Sequence, residues 1–203
     1  DSKSIAAYHR SLFASGYNPM DAVGDPVDER LDHQLMAGLT KADELGICQF
    51  TEAGMHDWVY LDTLLRRRET DRLPCRVRVL VGSGLAAQGM RDRTNDPDVD
   101  IVGVKFYADG WLGSRTCALC APFADVHPKD DGVLFWEPTP LARAAQPFAE
   151  NGWTSAAHAI VDRAAVAVPD AYDMTVHGDH HAAQRRRARI EPTPARDHLR
   201  VNP

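Results

Sequence analysis

DVDIVGVKFYADGWLGSRT, residues 98 to 116, begins with a run of mostly apolar, β-branched residues and ends in a loop that contains glycine. The apolar run predicts a buried strand, because strands that are covered on both faces are almost continuously apolar. Side chains alternate along a strand, so Lys105 and Asp109 share one face and Phe106 lies on the other. Burying an ammonium group is costly unless it is paired, so Lys105 is either a functional residue or half of an ion pair with Asp109 or Asp100.

Strands alternate with helices on both sides of this stretch. We predict helices over about 28–45, 57–70, 139–151 and 162–172, and strands over 47–51, 75–81, 98–108, 153–160 and, as a fifth, 187–191. This alternation predicts the α/β class, with a parallel sheet and right-handed crossovers. Two architectures fit this pattern, a doubly wound sheet and a (β/α)8 barrel. Both carry their chemistry at the carboxyl ends of the strands. The candidate residues on this rim are Glu52, the Gly82–Gly84 turn, Lys105 to Asp109, and His158.

The composition excludes several classes of function. The chain has 203 residues, is 44% hydrophobic and 26% charged, and carries a net charge of -6, so it does not favour nucleic acid or an anionic membrane. No apolar run approaches the roughly 18 residues of a membrane span, and no secretory signal is visible. Four cysteines in a chain of this size do not form a disulfide framework, so we expect a reducing, cytoplasmic location.

Several motifs carry a resemblance to a known family. VKFYADGWLGSRT at 104–116, HAIVDRA at 158–164, RIE at 189–191 and GICQFTEAG at 46–54 together resemble the amidohydrolase superfamily. The likeness is to amidohydrolase family 3, the YtcJ-like branch that includes N-substituted formamide deformylases, and it covers about residues 35–191. It implies that residues 1–203 form a single domain, the central part of a metallo-dependent (β/α)8 TIM barrel with about five βα units. Residues 1–27 and 192–203 are expected to be irregular.

The resemblance also implies a chemistry and its residues. Members hydrolyse C–N bonds other than peptide bonds, here in an amide- or formamide-like small molecule, through a water activated by one or two divalent metals, commonly zinc. The implied metal ligands are His158 and Lys105, the lysine as a carbamate, because an ammonium has no lone pair whereas a carbamate offers two anionic oxygens. Asp109, Trp111 and Arg115 would lie beside the substrate pocket. The general-base aspartate is expected beyond the last residue of the chain.

The chain departs from the family pattern at other ligand positions. No H-x-H pair precedes Ile47, and Pro192 follows RIE where the family has histidine. The sequence thus supplies at most half of the usual ligands. The alternative to a working hydrolase is therefore a non-catalytic barrel fragment or interaction module, whose exposed barrel edges would allow homo-oligomers.

A further alternative is dinucleotide binding through Gly82, Gly84 and Ala87, which follow a predicted strand with G-x-G-x-x-A spacing. That fingerprint requires a long helix next and a second strand that ends in an acidic residue. Gly89 interrupts any long helix here, and Asp100 begins the next strand instead of ending it.

Overall fold

The structure, a computed structural model, describes residues 28–70, 73–125 and 128–176. Within these ranges the elements follow one another as α1 Asp28–Glu44, β1 Gln49–Met55, α2 Trp58–Thr70, β2 Arg76–Gly82, α3 Ser83–Gln88, β3 Val99–Tyr107, α4 Pro138–Glu150, β4 Thr154–His158 and α5 Asp162–Val176. The predicted alternation of helices and strands is confirmed for this part of the chain. The fifth predicted strand, 187–191, lies outside the described residues.

The four strands form one parallel sheet in the order β1-β2-β3-β4. The predicted α/β class with a parallel sheet is therefore confirmed. Closure into a (β/α)8 barrel stays a prediction. None of the helices in the described ranges is long and apolar enough to cross a membrane.

The chain divides into two compact units, with the boundary between Lys105 and Phe106. The described residues of the first unit lie within 28–105 and those of the second within 106–176. The prediction of a single domain concerns the whole chain, including residues outside the described ranges, and stays a prediction.

In the first unit, β2 and β3 largely alternate between buried and half-buried positions. In β2, Val77, Val79 and Val81 are fully buried, as their spacing predicts, and Ile101 is buried in β3. Helix α1 packs against α2 and buries leucines on its inner face, while Gly46 follows it in a left-handed conformation, with φ of 77°.

Strand β1 differs from the prediction at both ends. The predicted strand covers residues 47–51, whereas the observed strand runs over Gln49–Met55 and leaves Ile47 43% exposed. Its pairing with β2 continues beyond Glu52 because a bulge at Gly54, with φ of 135°, absorbs one extra residue. An edge strand with this mixed burial has no clean alternation from which its end can be read.

In the second unit α4 and α5 pack together, and α4 also packs against β4. Phe106, at the end of β3, is buried and meets the rings of Trp136 and Phe148 edge to face, at centroid distances of 6.0 and 6.4 Å. Helices α4 and α5 contain Pro147 and Pro169. Proline in a regular helix interior costs about 3 kcal/mol, so the apolar packing of these helices must offset that cost.

Candidate functional site

Lys105 lies in β3, two residues before the end of the strand, and is half-buried. Its register partner on β2 is Gly82, and Gly103 precedes it by two residues on the same face. A Cβ atom on Gly82 would lie 3.1 Å from the carbonyl oxygen of Met55, so β1 approaches this position closely. The neighbour of Lys105 on β2 therefore contributes backbone and no side chain.

The close approach of β1 to Gly82 also explains the first glycine of the G-x-G-x-x-A motif. Gly82 ends β2 and is followed by α3, a helix of six residues that ends before Gly89. The dinucleotide fingerprint needs a longer helix, and its acidic residue should end a strand, whereas Asp100 stands near the start of β3. The glycine at position 82 is explained by packing against β1, and the alternative of dinucleotide binding loses its main support.

Glu52 does not lie level with Lys105. Its register partner on β2 is Val79, whereas the partner of Lys105 is Gly82. Loss of water around the carboxyl group raises the pKa of Glu52, and the charge of His56 lowers it. The bulge at Gly54 carries the strand past Glu52, so this residue is not at the rim where the sequence places it.

Asp109 is the most buried charged group at the end of β3, with 1% of its surface exposed. Its Oδ1 accepts a hydrogen bond from the backbone N–H of Ile160 (3.0 Å), and its Oδ2 accepts one from the N–H of Ala118 (3.2 Å). Burial raises the pKa of Asp109, while these N–H donors and the neighbouring His158 lower it. The carboxylate thus ties the end of β4 and the following loop to the end of β3.

His158 is the last residue of β4 and is half-buried. Its carbonyl oxygen accepts the N–H of Ala108 (2.8 Å), which aligns the ends of the two strands. Its Nε2 lies 3.0 Å from the carbonyl oxygen of Gly110 and 3.7 Å from Oδ1 of Asp109. Because a carbonyl oxygen only accepts, Nε2 carries the proton, and in the neutral ring Nδ1 holds the lone pair.

Trp111 and Arg115, in the loop after β3, have different surroundings. Trp111 is 66% exposed, although its backbone N–H donates to the hydroxyl of Thr116 (2.9 Å). Arg115 has a left-handed backbone, with φ of 54°, and donates to the carboxylate of Asp125 (2.6 Å). This hydrogen bond lowers the pKa of Asp125. Of the three predicted pocket residues, the structure places Asp109 against His158, Trp111 on the exposed loop, and Arg115 in an ion pair.

The long connection between β3 and α4 folds back on itself. Backbone hydrogen bonds join Phe135 to Ala108 (2.8 Å) and Leu119 to Asp131 (2.8 Å). Arg163 of α5 lies 3.6 Å from Asp131 and holds the returning half of the loop. These contacts connect the returning half of the loop to the end of β3 and to α5.

Sequence reasoning missed two partners of His158. The ring of Tyr107 lies 5.8 Å from the imidazole ring, and the carbonyl of Gly110 accepts its proton. Strand alternation places Tyr107 on the face of Lys105, which is a signal that could have marked it. A backbone carbonyl leaves no signal in the sequence.

Metal ligands are sparse in the described part of the chain. Among residues 28–70, 73–125 and 128–176, no group of three or more His, Cys, Asp or Glu side chains could hold a metal ion. Cys117 is fully buried and Cys120 is exposed, and both thiols are free. Burial and the charge of Asp109 raise the pKa of Cys117 to about 11, which disfavours the thiolate that a metal requires.

The fold is shared with proteins described as metal-dependent hydrolases. One structure, an uncharacterized metal-dependent hydrolase from Pyrococcus furiosus, matches 74% of this chain with a TM-score of 0.64 and 22% sequence identity. Another, from Pyrococcus horikoshii OT3 and described in the same words, matches 74% with a TM-score of 0.64 and 26% identity. The match covers 32% and 31% of those chains, so this chain spans about a third of their length. No protein-family model matches the chain, and the comparison with curated proteins gives no match.

Proposed function

We propose that this chain is the central part of a metal-dependent hydrolase of the amidohydrolase type, in the family 3 branch. Its substrate would be a small amide- or formamide-like molecule with a non-peptide C–N bond. The observation that carries the proposal is the structural likeness, with TM-scores of 0.64, to two proteins described as metal-dependent hydrolases. This chain spans about a third of the length of those proteins. The hydrolase activity is therefore proposed for a whole protein of which this chain is the central part.

The order of the strands supports a barrel fragment over a doubly wound sheet. In a doubly wound sheet the strand order reverses at the switch point where the ligand binds. Here all four described strands follow chain order, β1-β2-β3-β4, as successive strands of a (β/α)8 barrel do. Right-handed crossovers between such strands place every connecting helix on one face of the sheet, and the other face can then become the interior of a barrel.

Lys105, as a carbamate, and His158 are the residues proposed to hold the metal. The donor chemistry of His158 fits, because its Nε2–H donates to the carbonyl of Gly110 and Nδ1 keeps a lone pair. Such a hydrogen bond to a backbone carbonyl commonly fixes the tautomer of a ligating histidine. A divalent metal held there would polarise a carbonyl group and lower the pKa of a water molecule. The remaining ligands of the proposed site would come from outside the described residues.

Three further side chains have proposed roles around the site. Asp109 holds the ends of β3 and β4 in place through the N–H groups of Ala118 and Ile160. Trp111 offers an exposed aromatic surface to the apolar part of a substrate. Arg115 is engaged with Asp125, so it would have to leave that carboxylate before it could bind an anionic substrate group.

The metal content of the purified chain, measured by mass spectrometry in a bicarbonate buffer, tests the proposal. We expect near-stoichiometric zinc in the unmodified chain and a loss of zinc in both Lys105→Ala and His158→Ala. Lys41→Ala is the matched control, because Lys41 is exposed and paired with Glu44 at 2.9 Å. Absence of metal from the unmodified chain, or its retention in Lys105→Ala, would contradict the proposed site.

A second candidate is a non-catalytic barrel fragment that associates through its edge. Strand β1 stands at the end of the strand order, and the residues just before it are exposed, with Leu45 at 68% and Ile47 at 43%. An edge strand beside exposed apolar residues favours association with another chain. Light scattering after gel filtration measures this directly: a stable dimer without bound zinc would favour this candidate, and a zinc-loaded monomer would favour the hydrolase.

A further inference from the structure

Two cysteines stand side by side at the amino ends of neighbouring strands. The pairing of β1 with β2 begins at Gln49 and Arg76, so Cys48 and Cys75 come level one step earlier. The N–H of Arg76 donates to the carbonyl oxygen of Cys48 (3.0 Å), which extends the parallel ladder to this step. Adjacent strands lie about 4.7–4.9 Å apart, within the Cα separation of about 4.4–6.8 Å that disulfides span.

The two thiols differ in their access to solvent. Cys48 is exposed, whereas Cys75 is 3% exposed and its sulfur faces the carbonyl oxygen of Leu39 on α1. Burial raises the pKa of Cys75, and the charges of Asp43 and of Cys48 raise it further. An exposed thiol beside a protected one is the arrangement in which the first reacts with an oxidant and the second resolves the product.

We propose that Cys48 and Cys75 form a reversible disulfide that joins the starts of β1 and β2 under oxidising conditions. Their position is at the amino ends of the strands, whereas Lys105 lies near the carboxyl end of β3. The proposal therefore stands independently of the proposed hydrolase function.

The reaction needs a low-molecular-weight disulfide, such as oxidised glutathione, as the oxidant. The thiolate of Cys48 attacks one sulfur of the oxidant, the S–S bond breaks, and one glutathione leaves as a thiolate. Cys75 then loses its proton to solvent and attacks the sulfur of Cys48, which displaces the second glutathione. Two protein thiols are oxidised and one glutathione disulfide is reduced to two thiols.

Peptide mapping of the oxidised chain tests this proposal. Trypsin leaves Cys48 in peptide 42–66 and Cys75 in peptide 73–76, while both other cysteines fall in peptide 116–129. After treatment with oxidised glutathione at mildly alkaline pH, followed by alkylation, we expect peptides 42–66 and 73–76 to be linked, with the loss of two hydrogen atoms. This link should exceed any link to 116–129, and its own yield in the urea-unfolded chain, by about tenfold or more, because the fold holds the pair at a high effective concentration.

The variants separate native pairing from chance oxidation. Cys120→Ser should form the link as the unmodified chain does, and Cys48→Ser should leave Cys75 unmodified, because Cys75 is buried. The proposal is overturned if glutathione persists on Cys48 while Cys75 stays reduced. A link that is no more abundant in the folded chain than in urea overturns it as well.

Discussion

The carboxylate of Asp109 accepts a hydrogen bond from the backbone N–H of Ile160, two residues beyond His158, at 3.0 Å. The same carboxylate accepts the N–H of Ala118, so one buried side chain satisfies donors from two segments that follow it in the chain. Without it, the N–H of Ala118 and the N–H of the half-buried Ile160 would lose this acceptor. Asp109 therefore helps to fix the segment that directly follows His158.

Asp109→Ala should lower the free energy of unfolding, because it leaves the N–H groups of Ala118 and Ile160 without an acceptor. Each unsatisfied buried group costs about 1–3 kcal/mol, and Asp109→Asn, which keeps one oxygen, should lose less than Asp109→Ala. Urea denaturation followed by circular dichroism measures both. Asp125→Asn is the control: it removes only an exposed ion pair with Arg115, so it should lose much less stability than Asp109→Ala. Equal stability of Asp109→Ala and the parent would show that Asp109 does not anchor these segments.

The pKa of Cys117 predicts a loss of stability in alkaline solution. Because burial raises this pKa to about 11, the folded chain keeps the thiol proton at a pH where the unfolded chain has released it. A raised pKa stabilises the fold below the unfolded value, and this contribution disappears as pH rises through the folded value. A shift of roughly two units corresponds to about 2–3 kcal/mol between pH 9 and pH 11.

Cys117→Ala should remove this part of the pH dependence. The comparison of unfolding free energies at several pH values isolates the thiol, because other alkaline titrations occur in both chains. Cys120→Ala, at an exposed position, should alter the parent's pH profile less than Cys117→Ala does. A profile for Cys117→Ala that runs parallel to the parent's from pH 9 to pH 11 would disprove the assignment.

The secondary structure could be predicted from the sequence wherever burial of one face makes apolar residues recur at regular spacing. The apolar run at 98–108 became β3 over Val99–Tyr107, in which Val99, Ile101 and Phe106 are buried. A one-residue shift in the pairing with β2, between Ile101 and Gly103, moves the buried positions from odd to even residue numbers along the strand. Strand β1 was less readable, because the bulge at Gly54 and the exposure of an edge strand disturb the alternation. Local periodicity reports burial, and burial is uneven in β1, which has one neighbour among the described strands.

The residues of the candidate site could be predicted from the sequence, but their hydrogen-bond partners could not. Strand alternation placed Lys105 and Asp109 on one face, and the resemblance pointed to His158. Neither could show that Asp109 binds the N–H of Ile160, since backbone donors are the same in every sequence. The level of Glu52 relative to Lys105 also depended on the register of two strand pairs, and the pairing of β2 with β3 shifts by one residue between Val79 and Leu80.

Gly132→Ala should destabilise the second unit. Gly132 has φ of 82°, and a Cβ atom at this position would overlap the carbonyl oxygen of Cys117, a backbone atom that cannot rotate away. Relief of this overlap requires movement of the loop, at a cost of about 2–4 kcal/mol. Gly152→Ala is the matched control, because its φ of 76° is similar and nothing lies within 4 Å of the added Cβ. That variant should lose only about 1–2 kcal/mol, the cost of a left-handed alanine.

Urea denaturation of the two glycine variants separates backbone strain from the steric overlap. Equal losses in Gly132→Ala and Gly152→Ala would mean that strain alone matters and that the return of the loop onto Cys117 is not rigid.

The proposed carbamate on Lys105 has a direct spectroscopic consequence. A carbamate forms when the neutral amine of the lysine attacks carbon dioxide: an N–C bond forms, and the nitrogen releases a proton to solvent. In buffer with carbon-13 bicarbonate and zinc, the unmodified chain should therefore give a carbamate carbonyl signal by carbon-13 NMR. Lys105→Ala should lack the signal, while Lys41→Ala, at an exposed and ion-paired position, should keep it.

The zinc dependence of this signal distinguishes a metal ligand from a lysine that merely reacts with carbon dioxide. A carbamate that bridges or binds a metal is protected from loss of carbon dioxide, so the signal should persist after bicarbonate is removed while zinc is present. It should vanish when a chelator removes the metal, because the free carbamate reverts to amine and carbon dioxide. A signal that is identical in the parent and in Lys105→Ala would place the carbamate on another amine and exclude Lys105 as the metal ligand.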